Sequence, residues 1–513
     1  MSTIYEIAKE TKELLSSTEI TAAEYVKATE LVDKLEDQSI TVSVIGQFKR
    51  GKSTLVNTIL GEDLLPVGLI PVTSAVTIIR YGEKSVTVHF LNGVNKLVQF
   101  EELPDYISEE KNPNNCFGVS HVTIKTPSPF LKEGLSFVDT PGVGSVHKHN
   151  STAAYSFVKE SDAVIFMLSV DSPINEIEVE FLENAKEYAG KFYFAVNKID
   201  GISEFELNSY LAHCESNIKK LMGIDEVKLY PMSARENIGL DELKEKIISD
   251  LKSEVSNILN ESVKMKLIYT IRSSLNQLDL YWNALTMPSG RLEKRLRLMR
   301  ESLEKINNKA KEITLETKKD SDNYILKLTS IIDKQKDLLE RAKEKEKKSR
   351  FENAIEDILE DSMDDISAYM NKVTKHYDTM FNELKMELSK DVSENFGMDY
   401  HFDLEEINYD ESCSKELLST NSDISAKYAD NYDIDGALDS IKSLSSSLLL
   451  DNLSVTSSDF SQNVKLLTES LSNTMTKILL YKEDNAMTVW FYINDINKIT
   501  RHLRRNRDIL LRK

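Results

Sequence analysis

The chain has 513 residues, too many for one compact domain, and its 41% apolar content is enough to fill more than one core. Its 84 acidic and 64 basic residues leave a formal charge of −20, which argues against nucleic acid as the main partner and against a broadly cationic membrane-binding surface. Three cysteines, Cys116, Cys214 and Cys413, are widely spaced, odd in number and without metal-ligand pairing, so no disulfide framework or zinc site is expected and a reducing cytoplasm fits.

The start, Met1-Ser2-Thr3-Ile4-Tyr5-Glu6, has neither the basic flank nor the apolar core of a secretion signal. No stretch reaches the roughly 18 uninterrupted apolar residues that spanning a bilayer requires, so a soluble or peripheral cytoplasmic protein is expected. Ile4, Ile7, Leu14 and Leu15, then Tyr25, Ala28, Leu31 and Leu35, recur at spacings of three and four and predict a helix over residues 3–36. It has no obvious local packing partner.

A strand-like run, Thr41-Val42-Ser43-Val44-Ile45, then leads into Gly46-Gln47-Phe48-Lys49-Arg50-Gly51-Lys52-Ser53 and a helical start at Thr54. A glycine-punctuated loop between strand and helix cradles phosphates. Its backbone N–H groups converge on the β-phosphate, Lys52 reaches the β and γ oxygens, and the Ser53 hydroxyl ligates Mg²⁺. Next comes a Pro- and Gly-punctuated stretch, Leu64 to Thr77, in which Thr73 is the candidate switch threonine, its hydroxyl on Mg²⁺ and its carbonyl on the attacking water. Thr77 competes, but it falls in the alternating run Val76-Thr77-Ile78-Ile79-Arg80 and is expected to face a neighbouring strand.

Phe137-Val138-Asp139-Thr140-Pro141-Gly142 ends a second strand, placing Asp139 at a carboxyl end, where doubly wound sheets bind ligands. Asp139 can sit behind Mg²⁺ through a water, and Gly142 can donate its N–H to the γ-phosphate. A third strand, Phe192-Tyr193-Phe194-Ala195-Val196, delivers Asn197-Lys198-Ile199-Asp200. The Asp200 carboxylate can accept from the ring N–H and the exocyclic amine of guanine, a donor pair that adenine lacks. Ser233-Ala234, after Val227-Lys228-Leu229-Tyr230-Pro231, stands where a backbone N–H would read the guanine carbonyl.

Together these motifs resemble the GTPase family that includes Ras, and the resemblance implies GTP/GDP with Mg²⁺ and carries roles onto Lys52, Ser53, Asp139, Gly142, Asn197, Lys198 and Asp200. Val143 stands where Ras-like enzymes carry a water-orienting glutamine. Hydrolysis then rests on the Thr73 carbonyl, Mg²⁺ and a cation offsetting charge between the β and γ phosphates, for which Lys49 and Arg50 are candidates. The alternative for both is a solvated basic loop.

The loop, the Leu-Pro-Val-Gly…Pro-Val-Thr switch, Asp-Thr-Pro-Gly-Val-Gly-Ser, and Asp171-Ser172-Pro173-Ile174-Asn175-Glu176 with Glu178, Phe181 and Leu182 are similar to bacterial members of the dynamin superfamily. In relatives of that superfamily the fourth loop position holds an arginine finger; here it is Lys49, and the third, a glutamine in eukaryotic dynamins, is Phe48. The resemblance implies a GTPase head, a helical stalk built partly from a preceding helix, and a homodimer or higher homo-oligomer through the head. It also implies membrane remodelling, with possible peripheral contact at the inner face of a membrane. A scaffold that never touches lipid is the alternative. A ribosome-assembly GTPase, which should carry a small basic RNA-binding domain after its head, ranks below it.

Beyond about residue 255 the β pattern gives way to long helices. Leu303, Ile306, Ala310 and Ile313 form one apolar seam, and Leu359, Met363, Ile366, Met370, Val373, Tyr377, Met380 and Leu384 form a second. Met287-Pro288-Ser289-Gly290 reads as a turn between helices, and Lys343 to Lys348 as a solvated helix face in preference to a turn. Residues 395–460 read as loop-rich and acidic, a possible tip, with Leu448-Leu449-Leu450 its one greasy stretch. The end of the chain, Val489-Trp490-Phe491-Tyr492-Ile493 followed by arginines, reads as a last bundle helix or as an amphipathic helix lying on an anionic membrane. The expected architecture is α/β: a mostly parallel, doubly wound P-loop GTPase head (39–255), an N-terminal helix (1–38) packing with the bundle, and an extended all-α bundle or stalk (256–513).

Overall fold

Apolar runs in the first half of the chain become strands of a single sheet. The computed structural model describes residues 3–512 apart from 48, 68–74, 91–93, 109–110, 113–116, 133, 141–158, 175, 187, 345–346, 403–424 and 426. The chain forms two units, Met1–Trp282 with Trp490–Lys513, and Asn283–Val489.

The first unit holds β1 (Ile40–Ile45), β2 (Val76–Tyr81), β3 (Ser85–Phe90), β4 (Asn95–Val98), β5 (Val119–Thr126), β6 (Leu135–Asp139), β7 (Ala163–Ser169), β8 (Lys191–Asn197) and β9 (Leu229–Pro231). They pair in the order β4-β3-β5-β2-β6-β1-β7-β8-β9. From β6 through β1, β7 and β8 to β9 all pairs are parallel, whereas β2 runs antiparallel to β6 and parallel to β5. A parallel sheet with helices on its faces is buried on both sides, which is why β7 reads Ala-Val-Ile-Phe-Met-Leu-Ser and is buried throughout. Ile45, Phe166, Leu168, Phe194 and Val196 pack against Leu182 and Ala185 of α5 (Glu176–Ala185) and Cys214 and Ile218 of α6 (Glu204–Met222). Because β6 and β7 flank β1 on opposite sides, their connections diverge and open a crevice at the carboxyl ends of these strands.

The expected N-terminal helix is two helices, α1 (Ile4–Leu15) and α2 (Ala22–Asp37). Ser16-Ser17-Thr18 break it: Thr18 caps a short 3₁₀ turn, and the Thr21 hydroxyl donates to the Leu15 carbonyl at 3.0 Å. Their partners are α8 (Val255–Thr286) and α13 (Ala486–Arg512), helices that the expected boundaries placed in the bundle and that join the sheet's unit up to Trp282 and from Trp490. Glu24 accepts from Ser273 and Gln277, both at 2.9 Å, while Asn506 donates to Thr11 and Arg504 meets Asp279. At the amino ends of the central strands, away from the crevice, the fully buried Asp162 accepts from the Thr41 N–H and pairs with Lys34 at 2.7 Å and Lys266 at 3.2 Å, tying β1, α2 and α8 together.

The second unit is built from α9 (Ser289–Lys334), α10 (Lys336–Lys343), α11 (Lys348–Phe396) and α12 (Ile434–Glu483). Arg295 meets Asn395 and Lys442 meets Asp333, so α9 runs antiparallel to both α11 and α12. Phe351 lies on Tyr432 and Tyr377 on Phe460, so α11 and α12 run parallel. Both apolar seams face inward, and Pro288 caps α9 at the expected turn. The charged run starts on the last residue of α10, Lys343, and ends on the first of α11, Lys348, with Lys345 and Glu346 outside the described residues. The loop-rich reading of 395–460 is corrected from Ile434 onward: Asp433 caps the helix through the Gly436 N–H, and Leu448 and Leu449 are buried on its seam. Residues 403–424 lie outside the described part.

Candidate functional site

The phosphate loop follows β1 and ends where α3 (Lys52–Leu60) begins, two residues before the expected helical start. Glycine is needed at both ends for different reasons. A Cβ on Gly46 would come within 2.6 Å of the Met167 carbonyl, and one on Gly51, at φ +93°, within 2.3 Å of Asn197 Nδ2. Lys52 is buried and donates to the carbonyls of Gly46 at 3.0 Å and Gln47 at 3.2 Å, which lays its side chain along the inside of the loop. Burial pushes its ammonium down to about 8, against the opposing pull of Asp139 and Glu178.

Asp139, fully buried at the end of β6, is pushed up to about 6 by the same desolvation, offset in part by Lys52 and Ser53. Its Oδ2 accepts from the Ser53 hydroxyl at 2.7 Å, while its buried Oδ1 has no hydrogen-bond partner among the described residues. A hydroxyl beside a carboxylate with an unsatisfied oxygen is a donor set that suits a hard divalent cation, so Ser53 and Asp139 fit the metal role expected of them.

Asn197 closes the base end of the site. Its Nδ2 donates to the Arg50 carbonyl at 2.8 Å, and its Oδ1 accepts from the Ala234 N–H at 2.9 Å, joining the phosphate loop to the segment after β9. Lys198 takes φ 65° and pairs with Asp171 at 2.5 Å, and Asp200 lies exposed beyond it. The Ser233 hydroxyl, bonded to Asp200, holds that carboxyl below its usual range, helped by Arg235 and Lys198. At Ser233-Ala234, where a backbone N–H was expected to read the guanine carbonyl, Ser233 N donates to the Ile238 carbonyl at 2.9 Å and Ala234 N to Asn197.

Of the two candidate loop cations, Arg50 is 2% exposed and turned inward. Its guanidinium makes a two-pronged pair with Glu178, at 3.1 and 2.9 Å, and donates to the carbonyls of Ser169 and Ser172. This geometry fastens the loop to α5 and the segment after β7 and engages the guanidinium within the chain. Lys49 stays exposed, at φ 65°. Thr54 follows Ser53 on α3, and its carbonyl accepts from Thr58, which also meets the Ala234 carbonyl. Phe48, Thr73 and Gly142 lie outside the described residues. Thr77 faces its neighbouring strand as expected, paired with Asp139 across β2 and β6.

Two contributors were given no role of their own from sequence. Glu178, 0% exposed, is the partner of Arg50; in sequence it is one of four glutamates in α5 and entered only as part of the family resemblance. Asn57 accepts from Leu64 N and Leu65 N and donates to the Leu65 carbonyl at 2.8 Å, bracing the chain where it leaves toward Thr73.

The sequence profile of the dynamin family matches residues 42–200. An uncharacterized protein from the xynA 3′ region of Caldicellulosiruptor sp. is 36% identical over 304 residues, 56% of this chain and 75% of that protein. Dynamin-like protein A of Bacillus subtilis is 29% identical over 215 residues, 41% of this chain and 18% of its own length. The bacterial dynamin-like protein of Nostoc punctiforme is 31% identical over 173 residues, 31% of this chain and 25% of its own. The alignments thus span a quarter or less of these two relatives. A chain from the solved structure of an oligomerised bacterial dynamin pair aligns over 99% of this chain and 94% of its own, at 15% identity and a TM-score of 0.45.

Proposed function

The chain belongs to the dynamin family of GTPases, and on that premise we propose that its head binds GTP with Mg²⁺ and hydrolyses it to GDP and phosphate by in-line attack of water. The observation that carries this reading is Asn197, which bonds the phosphate loop at Arg50 and the loop after β9 at Ala234, so that phosphate and base are gripped by one connected frame. The loop N–H groups and Lys52 hold the β and γ oxygens. Mg²⁺, held by Ser53 and, through water, by Asp139, would draw charge from those oxygens when bound. Asp200, exposed and ionised, accepts the two guanine donors.

The test of this reading is Asp200→Asn. An amide offers one acceptor and one donor, which suits xanthine better than guanine. Titration calorimetry should show weakened GTP binding and a gain for xanthosine triphosphate; unaltered GTP affinity would refute the assignment.

Hydrolysis coupled to rearrangement of the helical parts, with membrane remodelling as the outcome, is the biological role proposed. Family kinship supports it, as do Trp490 and Phe491, 60% and 49% exposed at the start of α13. Among the described residues no helix is long and apolar enough to cross a membrane, so lipid contact would be peripheral. Because Leu503 and Leu510 of α13 are buried, point changes are preferable to truncation. Trp490→Ala with Phe491→Ala should abolish co-sedimentation with anionic liposomes, and wild-type protein that stays in the supernatant would favour the lipid-free scaffold.

A further inference from the structure

In the antiparallel ladder between β2 and β6, Thr77 stands directly opposite Asp139, Ile78 opposite Val138 and Ile79 opposite Phe137. Val76, Ile78 and Val138 cluster on one face, so Thr77 and Asp139 share the other. Both residues are fully buried, and each carries an oxygen, Thr77 Oγ1 and Asp139 Oδ1, without a hydrogen-bond partner among the described residues. On its other side Thr77 pairs with Val122, so β5 presents an apolar side chain at that level.

A buried hydroxyl without a partner costs about 1–3 kcal/mol and is not kept for packing, since valine would fill the same space. Two such oxygens on directly opposed residues form a polar corner inside an apolar wall. Cross-strand partners hold their Cβ atoms about 4.5–5.5 Å apart, a span that one water bridges. Ser53 occupies the remaining oxygen of Asp139, so the corner opens onto the same carboxylate that faces the proposed cation.

We propose that Thr77 is a positioning residue for the magnesium ion, its hydroxyl and Asp139 Oδ1 together holding the water through which Asp139 reaches the cation. The inference rests on the proposed magnesium site and adds to it a residue that lies on a strand. It also links the metal to β2, the strand that follows the segment carrying Thr73, so that metal occupancy and the position of β2 are coupled.

The test uses the full chain and Mg²⁺ itself, read through release of a fluorescent GDP analogue over a series of Mg²⁺ concentrations. Groups behind metal ligands typically contribute 10–100-fold in affinity, so Thr77→Val should shift the Mg²⁺ midpoint upward by about that factor. Thr77→Ser should restore the wild-type midpoint. The nucleotide-free T77V protein should melt no lower than wild type, because the hydroxyl has no internal bond to lose. Thr77→Ala gives a second reading should the γ-methyl of valine disturb the ladder. Midpoints within twofold of wild type in both T77V and T77A overturn the inference while leaving the magnesium site standing. Wild-type GDP release that ignores Mg²⁺ overturns the site and the inference with it.

Discussion

Arg50 shows how one residue's surroundings decide its chemistry. In sequence it is a cation inside a phosphate-binding loop; in the fold it is a buried anchor whose counter-ion, Glu178, is 0% exposed. Breaking a buried pair leaves an uncompensated charge and costs about 3–5 kcal/mol. Glu178→Gln should therefore destabilise the nucleotide-free protein by about that amount in denaturant unfolding, and a loss below about 1 kcal/mol would show that the backbone carbonyls alone hold Arg50. On the proposed reading, Lys52, Ser53, Asp139 and Asp200 act on a ligand common to many proteins, so their spacing is itself the message, and Asn197 joins the two loops around it. Glu178 and Asn57 act on other parts of this chain, and no local pattern names the partners they meet.

Elements are joined at the amino ends of the central strands, opposite the crevice, by Asp162, with Lys34 from α2 and Lys266 and Ser262 from α8 around it. Burial alone would raise its carboxyl, but Lys266 and Lys34 outweigh that and hold it below its usual range. A depressed acid stabilises the fold above its unfolded value, about 3.9, and that contribution is lost as pH falls through and below it. Asp162→Asn should cost about 3–5 kcal/mol at neutral pH and flatten the acid limb of the stability curve below the unfolded value. An acid limb parallel to wild type would show that other carboxyls govern it. The β periodicity and the helical seams were legible because each is a local pattern. The break between α1 and α2 was not, since it depends on Thr21 reaching the Leu15 carbonyl in a corner formed only after folding.

For the whole molecule, the question is how hydrolysis proceeds with Val143 in place of a glutamine and with Arg50 engaged internally. On the proposed reading, Lys49, exposed on the loop, is the cation that a second head would order across the nucleotide face. Turnover per molecule should therefore rise with protein concentration before reaching a plateau, and Lys49→Ala should depress the plateau by about 10²-fold, the usual loss for one charge-stabilising donor. A rate per molecule that is flat with concentration would leave a monomeric mechanism.

The sequence by itself determined the nucleotide class, the strand ends that carry the site and the presence of a long helical region, because phosphate loops, base-reading carboxylates and apolar seams are written in contiguous residues. Only the tertiary structure decided that Arg50 is an anchor, that α11 and α12 run parallel, and that Thr77 stands against Asp139. Each of these depends on register or on a contact between distant parts of the chain, 128 residues apart for Arg50 and Glu178, and such partners are chosen by packing, which no short stretch of sequence encodes.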